Sequence, residues 1–516
     1  MGTREQGVVE VTGTGLTADH VVAVAREDAR VELGDEGRAA MQRSADVVAQ
    51  LADSEEPAYG ISTGFGSLAT VAIPAERRAE LQRALVRSHA AGMGPPVERE
   101  VVRAMLLLRA RSLAMGFSGA RPVVAETMLA LLNAGITPVV PEHGSLGASG
   151  DLAPLAHCAL VLIGEGSVLG ADGAPVPAAD ALRDAGIEPI ELGPKEGLAL
   201  INGTDGMLGM LLLAIRDLWL LLRVADIAAA MSVEALLGTN RAFAEDLLAL
   251  RPQPGQAASA ANLMRLLADS AIVASHRYDD PRVQDAYSLR CAPQVTGAAR
   301  DVLAYAEQVA AAELVSAIDN PMVLPDGRVE SCGNFHGAPV AFACDFLAIA
   351  AADVGSIAER RTDRLLDAAR SHGLPPFLTE DAGVNSGLML SHYTQAALVA
   401  ENRRLAAPAS VDSIPTSAMQ EDHVSMGWGA ARKLRIALCN LGRILAVELV
   451  SAGHGLDLRA PLEPGPGTKA ALQSLRERVA GPGPDRWLSP DLDVAEELVT
   501  NGDILRAVES AIGELA

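Results

Sequence analysis

From about residue 205 onward, apolar positions recur with helical spacing over long stretches. The segments 206–237, 296–318, 338–369, 393–405 and 427–454 are rich in Ala and Leu and poor in β-branched runs, the pattern of α-helices. Several far exceed the ~10–14 residues of an average globular helix. Helices of that length cannot bury an apolar stripe alone, so they are expected to pack side by side in a bundle. Upstream of about residue 200 the texture differs: shorter helical patterns are punctuated by Gly and Pro. "ADGAPVPAAD" (171–180) reads as a surface loop on a small hairpin beginning at "GSVL". Near the other end, "PLEPGPGTKA" and "AGPGPDRW" read as loops between shorter helices. The expected fold is mostly α. A long central helical bundle (205–516) follows a smaller, mixed but mainly helical N-terminal domain (1–204).

The most apolar run, "MLGMLLLAIRDLWLLL" (207–222), is interrupted by Arg216 and Asp217, short of the ~20 residues a membrane span needs. It reads as a core helix. The 516 residues carry a formal net charge of −23, which repels nucleic acid backbones and anionic membranes; neither is expected as a partner. Five cysteines (Cys158, Cys291, Cys332, Cys344 and Cys439) show no CxxC spacing, which fits a reducing compartment rather than a disulfide framework or zinc ribbon. With no apolar leader in "MGTREQGVVEVTG", the expected location is cytoplasmic.

Several chemistries are excluded by spacing. Gly64, Gly66 and Ala69 match the dinucleotide fingerprint loosely, without the following acidic residue or βαβ alternation. No phosphate-binding G-x-x-x-x-G-K-[ST] and no H-E-x-x-H occur, so no metal is expected. In "GSLGASGDLAPL" (144–155), Asp151 stands where a nucleophile elbow would have its second glycine. The stretch most simply makes a glycine-rich turn. A second chemistry is open to it. Gly150 has no side chain, so its amide nitrogen can approach the carbonyl carbon of Ala148 in a tight bend. Ring closure and loss of two waters would turn Ser149 into a dehydroalanine within an imidazolone, an electrophile built from the chain.

The surroundings favour the second reading. "GSLGASGDLAPLAH" resembles the signature of the aromatic amino acid ammonia-lyase and aminomutase family, whose electrophile is 4-methylideneimidazole-5-one (MIO). "YGISTGFG" (59–66), "LVRSHAAGMG" (85–94), "KEGLALINGT" (195–204), "VQDAYSLRCAPQ" (283–294), "DNPMV" (319–323), "GNFHGAPVAF" (333–342) and "SAMQEDHVSMG" (417–427) resemble family blocks in the expected order. The resemblance spans most of the chain. It implies an ammonia-lyase/fumarase-like fold and MIO formed from Ala148, Ser149 and Gly150, with no external cofactor. It also implies a homotetramer whose active sites draw on three chains. Tyr59, on a glycine-rich loop able to close over a site, is then the base that takes the β-proton. Arg290 binds the substrate carboxylate bidentately, Tyr287 and Asn202 line the electrophile, and Gln284 and Phe335 line the pocket. Taken alone, Arg290 reads as a surface ion-pair former, Asn202 and Gln284 as backbone caps, and Phe335 as core. Ser62, where the family has Thr or Asn, and Met419, where many relatives have Asn, depart from the pattern.

The ring of the substrate is read from two positions. His89 matches the "SHAAG" block of histidine-specific members, although tyrosine aminomutases carry a similar Ser-His. Glu421 discriminates more: histidine-specific members carry this glutamate, and members acting on phenyl rings generally lack it. An imidazole offers an N–H to a carboxylate, whereas a phenyl ring would leave a buried carboxylate unpaired at a cost of about 2 kcal/mol or more. The expected activity is non-oxidative elimination of ammonia from L-histidine, giving trans-urocanate, as in histidine-specific members of actinobacterial type. The rivals are tyrosine or phenylalanine lyase or 2,3-aminomutase activity within the family, and a catalytically silent helical scaffold.

Overall fold

A computed structural model of the chain describes residues 7–52, 63–64, 71, 73–278 and 280–516. Among them the chain forms twenty α-helices and four small two-stranded sheets, so the fold is mostly α as its periodicity implied. The long helices fall where the apolar pattern put them: Asp205–Ala235, Ala292–Leu314, Ala338–Leu366, Met389–Leu405 and Gly427–Asp457. The hairpin expected at "GSVL" is also present, with Ser167–Leu169 antiparallel to Pro175–Pro177. "PLEPGPGTKA" is only partly loop, because the Pro466–Arg476 helix starts inside it, with proline at a helix start where its missing N–H is no loss. Ala338–Leu366 and Gly427–Asp457 are long and apolar enough to cross a bilayer, yet 61% and 83% of their apolar windows are buried within the protein. Both are core helices.

The chain divides into two compact units that do not follow chain order. The first comprises residues 1–213, 307–344 and 408–432; the second comprises 214–306, 345–407 and 433–516. In the first unit the Arg99–Ala114 helix is buried at every position beyond its first two, including Arg103, Arg109 and Arg111. Apolar periodicity alone would turn these arginines outward. Inside, they donate to backbone carbonyls at helix ends and in loops. Arg103 donates to Val24 O (3.0 Å) and Leu132 O (3.1 Å), and Arg111 donates to Ser316 O (2.6 Å). Arg109 donates to Asn202 O (2.9 Å) and Ile318 O (3.0 Å).

The second unit is built on the same principle with acids. Glu448 is fully buried, accepts two bonds from Arg361 (2.5 and 2.9 Å) and one from Ser232 Oγ (2.7 Å). Asp226 accepts from Ser259, Asn262 and Arg300 at 2.6–2.9 Å. Removing one partner of a buried ion pair strands the other charge, which typically costs about 3–5 kcal/mol, whereas replacing both with apolar groups is near neutral. Glu448→Leu is therefore expected to lower stability to chemical denaturation by that amount, and adding Arg361→Met is expected to recover most of it. A double variant as unstable as the single would contradict this account of the pair.

Candidate active site

The Ala148-Ser149-Gly150 tripeptide lies in the first unit, in a loop leading into the Leu152–Leu162 helix. Ala148 and Gly150 are buried and Ser149 is half-buried. Gly150 takes a left-handed conformation (φ 73°) and pairs in parallel with Gly203, and a Cβ at Gly150 would collide with the Gly203 backbone. Gly203 is equally confined: a Cβ there would meet the Arg109 guanidinium and the Asp205 carboxylate. Two peptide backbones thus lie against each other with no side chain between, backed by an arginine. Gly147 (φ 65°) is closed in by Ser425 and Gly427.

Hydrogen bonds fix the loop from three directions. Asp151 N donates to Gly203 O (2.7 Å), Ser425 Oγ to Gly147 O (2.9 Å) and Met426 N to Leu146 O (2.8 Å). The Asp151 carboxylate, entirely buried, accepts from Met207 N (2.8 Å) and Ser145 Oγ (2.9 Å). Sequence reasoning used Asp151 only to exclude a nucleophile elbow and passed over Ser425. Their partners lie 56 and 278 residues away, and no local motif announces such contacts. Four helices begin around this loop: Leu152–Leu162, Asp205–Ala235, Ala338–Leu366 and Gly427–Asp457. Gly337 and Gly427 both close on Met207, and Gly427 N donates to Ser425 Oγ (3.1 Å). The partial positive charge of helix N-termini favours negative charge developing there.

Asn202 sits one residue before Gly203. Its Nδ2 donates to Asn320 O (2.7 Å), while its buried Oδ1 has no partner among the described residues and is able to accept from a bound molecule. His89 ends the Arg78–His89 helix, and its Nδ1 donates to Leu85 O (2.9 Å), which leaves Nε2 as the acceptor. Burial pulls the His89 pKa below the ordinary imidazole value, opposed by the Leu85 bond and the Glu421 charge. Glu421 is half-buried, and its Oε2 accepts from Thr416 Oγ1 (3.1 Å). Phe335 is half-buried on the same unit. Met419 is 66% exposed and left-handed (φ 70°), a conformation that Asn, the family residue there, adopts more readily.

Gln284, Tyr287 and Arg290 belong to the second unit. Tyr287 opens the short Tyr287–Arg290 helix with 72% of its surface exposed, and the Arg290 guanidinium lies 4.6 Å from its ring centre. Arg290 Nε is buried without a partner among the described residues. Arg290 and Gln284 border a cavity of about 820 Å³ lined also by Arg241, Arg277 and Arg282 and by Asp269, Asp280 and Asp285, with Arg282 paired to Asp280 and Asp285. Tyr59 and Ser62 lie outside the described residues. Among the described residues, no group of three or more His, Cys, Asp or Glu side chains is arranged to hold a metal ion.

The model of the aromatic amino acid lyase family matches residues 16–477. The chain belongs to that family. It is 62% identical over 508 residues to the histidine ammonia-lyase of Streptomyces avermitilis, covering 98% of this chain and 99% of that one. Among solved structures, a tyrosine aminomutase from Streptomyces globisporus superposes with a TM-score of 0.93 at 39% identity, covering 99% of this chain and 100% of that one. The histidine ammonia-lyase of Trypanosoma cruzi gives 0.90 at 40% identity, covering 98% and 96%. The family blocks quoted from the sequence, apart from 59–66, most of which lies outside the described residues, are thus embedded in the family's fold.

Asp151 carries a consequence for stability. Burial drives its pKa from 3.8 up to about 7, against the bonds from Met207 and Ser145. Because the folded pKa lies above the unfolded one, its contribution is fully favourable below about pH 4 and is lost as pH rises through about 7. A shift of that size is worth roughly 4 kcal/mol when fully expressed. Asp151→Asn is expected to flatten the fall in denaturation midpoint across that window. Parallel pH curves for the two proteins would show that Asp151 is not the group responsible.

Proposed function

We propose that the chain eliminates ammonia from L-histidine to give trans-urocanate, a carbon–nitrogen lyase reaction of histidine degradation, using MIO formed from Ala148, Ser149 and Gly150. The observation that carries the substrate assignment is the placement of Glu421 within electrostatic reach of His89 on the unit that holds this loop. The near-complete match to a histidine ammonia-lyase supports the same reading. The cradle fits the cyclised group: Ala148 is buried, Gly150 has no room for a Cβ, and its left-handed backbone is the kind of tight bend that ring closure requires. Once formed, that group supplies an electrophile that makes the substrate's nitrogen a better leaving group.

The chain's own residues do the rest. The Glu421 carboxylate accepts an imidazole N–H, and the His89 Nε2 acceptor reads the same ring. Asn202 Oδ1 accepts from the substrate's amino group, and Arg290, with Gln284 beside it, holds the carboxylate through a charge-assisted fork. Tyr287 and Phe335 line the pocket. Tyr59 takes the β-proton, a role that requires a phenol pKa lowered from ~10 by positive charge. Sites shared within a homotetramer account for the exposure of Tyr287 and for the large apolar surfaces left on the second unit by Tyr305, Phe346 and Ile349. The five free cysteines support a cytoplasmic location.

The test is product analysis with L-histidine, L-tyrosine and L-phenylalanine supplied separately, alongside Ser149→Ala. Urocanate from histidine alone is expected, falling by more than about a thousandfold in the variant. Coumarate, cinnamate or a β-amino acid would retain the electrophile and overturn the substrate. No product from any of the three would support the silent scaffold instead.

A further inference from the structure

We infer that Thr416 is a positioning residue for Glu421, setting the direction of the carboxylate that reads the substrate ring; this rests on the reading of Glu421 given above. Residues 416–421 form a closed turn. Thr416 N donates to Glu421 O (3.0 Å) and Glu421 N donates back to Thr416 O (3.3 Å). Those two backbone bonds close the turn without help from a side chain. The Thr416 hydroxyl is nevertheless spent on Glu421 Oε2, at 3.1 Å. Threonine's branched Cβ limits its χ1 choices, so the hydroxyl is held where a longer or freer side chain would wander.

The backbone between the two residues shows how firmly the turn is imposed. Ser417, Ala418 and Met419 are all left-handed, with φ of 51°, 51° and 70°, which non-glycine residues adopt at a cost and keep only where their surroundings enforce it. Beyond Glu421 the segment is tied again. Val424 N donates to Ser413 Oγ (3.0 Å), and Ser425 and Met426 bond directly to the Leu146–Gly147 backbone. Glu421 therefore lies on a segment tied at one end to the Thr416 hydroxyl and, four and five residues on, to the backbone that leads into Ala148-Ser149-Gly150. The other titratable groups around the carboxylate are His89 from the Arg78–His89 helix, Asp422 and His423 on its own segment, and His336, which meets His423 at 3.4 Å.

The bond from the Thr416 hydroxyl holds the Glu421 carboxylate in one direction, so losing it frees the carboxylate to turn away from the ring. In Thr416→Val, kcat/KM for L-histidine is expected to fall about tenfold, chiefly through a higher KM, while Thr416→Ser stays within about twofold of the unmodified chain. Thr416→Ala serves the same comparison should the valine variant not fold, and denaturation midpoints check that each variant is folded. Unchanged kinetics in Thr416→Val, a loss in Thr416→Ser as deep as in Thr416→Val, or a loss confined to kcat with KM unchanged would each overturn the proposal. Glu421→Gln separates the two levels. If it alone damages histidine turnover while Thr416→Val is silent, only the positioning role fails. If it too is silent, the role of Glu421 fails with it.

Discussion

The first unit is organised around the contact between the backbones of Gly150 and Gly203. Each glycine is excluded from carrying a Cβ by the other's surroundings: Gly150 by the Gly203 peptide, Gly203 by Arg109 and Asp205. Arg109 reaches that position only because the helix carrying it is buried along nearly its whole length. Its guanidinium bonds Asn202 O, Asp205 and Ile318 O at once. A buried arginine fixes one loop, that loop leaves room only for backbone, and the loop bearing Ser149 is bent against it. The chemistry proposed at Ser149 would in this sense be a consequence of packing around Arg109.

Electrostatics follow from the same arrangement. Four helix N-termini meet around the loop, and the carboxylate among them, Asp151, is pushed up to a pKa of about 7 by burial while backbone N–H groups at the start of the Asp205–Ala235 helix hold it. On the recognition side, the Thr416–Glu421 turn supplies a carboxylate, and His89, its Nδ1 committed to Leu85 O, supplies an acceptor. In the proposed reading a protonated imidazole, with two N–H donors, pairs with both, whereas a phenyl ring pairs with neither.

Much of this was legible in the sequence, and what was not has a physical reason. The long helices were readable because Ala and Leu recur with helical spacing over enough turns to exclude other periods. The buried arginines of the Arg99–Ala114 helix were not, since apolar periodicity assigns Arg outward and cannot see the carbonyls of Val24, Leu132 and Ser316 that need donors. Ala148, Ser149 and Gly150 were found from their chemistry and their resemblance to a family block. Ser425 was missed because its partner, Gly147, is 278 residues away. Thr416 was missed because a threonine in "SIPTSAM" has no reading until its distance to Glu421 is known.

The proposed ring closure requires that backbone packing against Gly203 bend Ala148-Ser149-Gly150 tightly. It is tested most directly by the mass of the proteolytic peptide spanning residues 144–155, compared between the unmodified chain and Gly203→Ala. The account predicts a peptide two waters lighter than its sequence in the former and the full sequence mass in a folded Gly203→Ala. A peptide of full sequence mass from the unmodified chain, or equal cyclisation in both proteins, would contradict it.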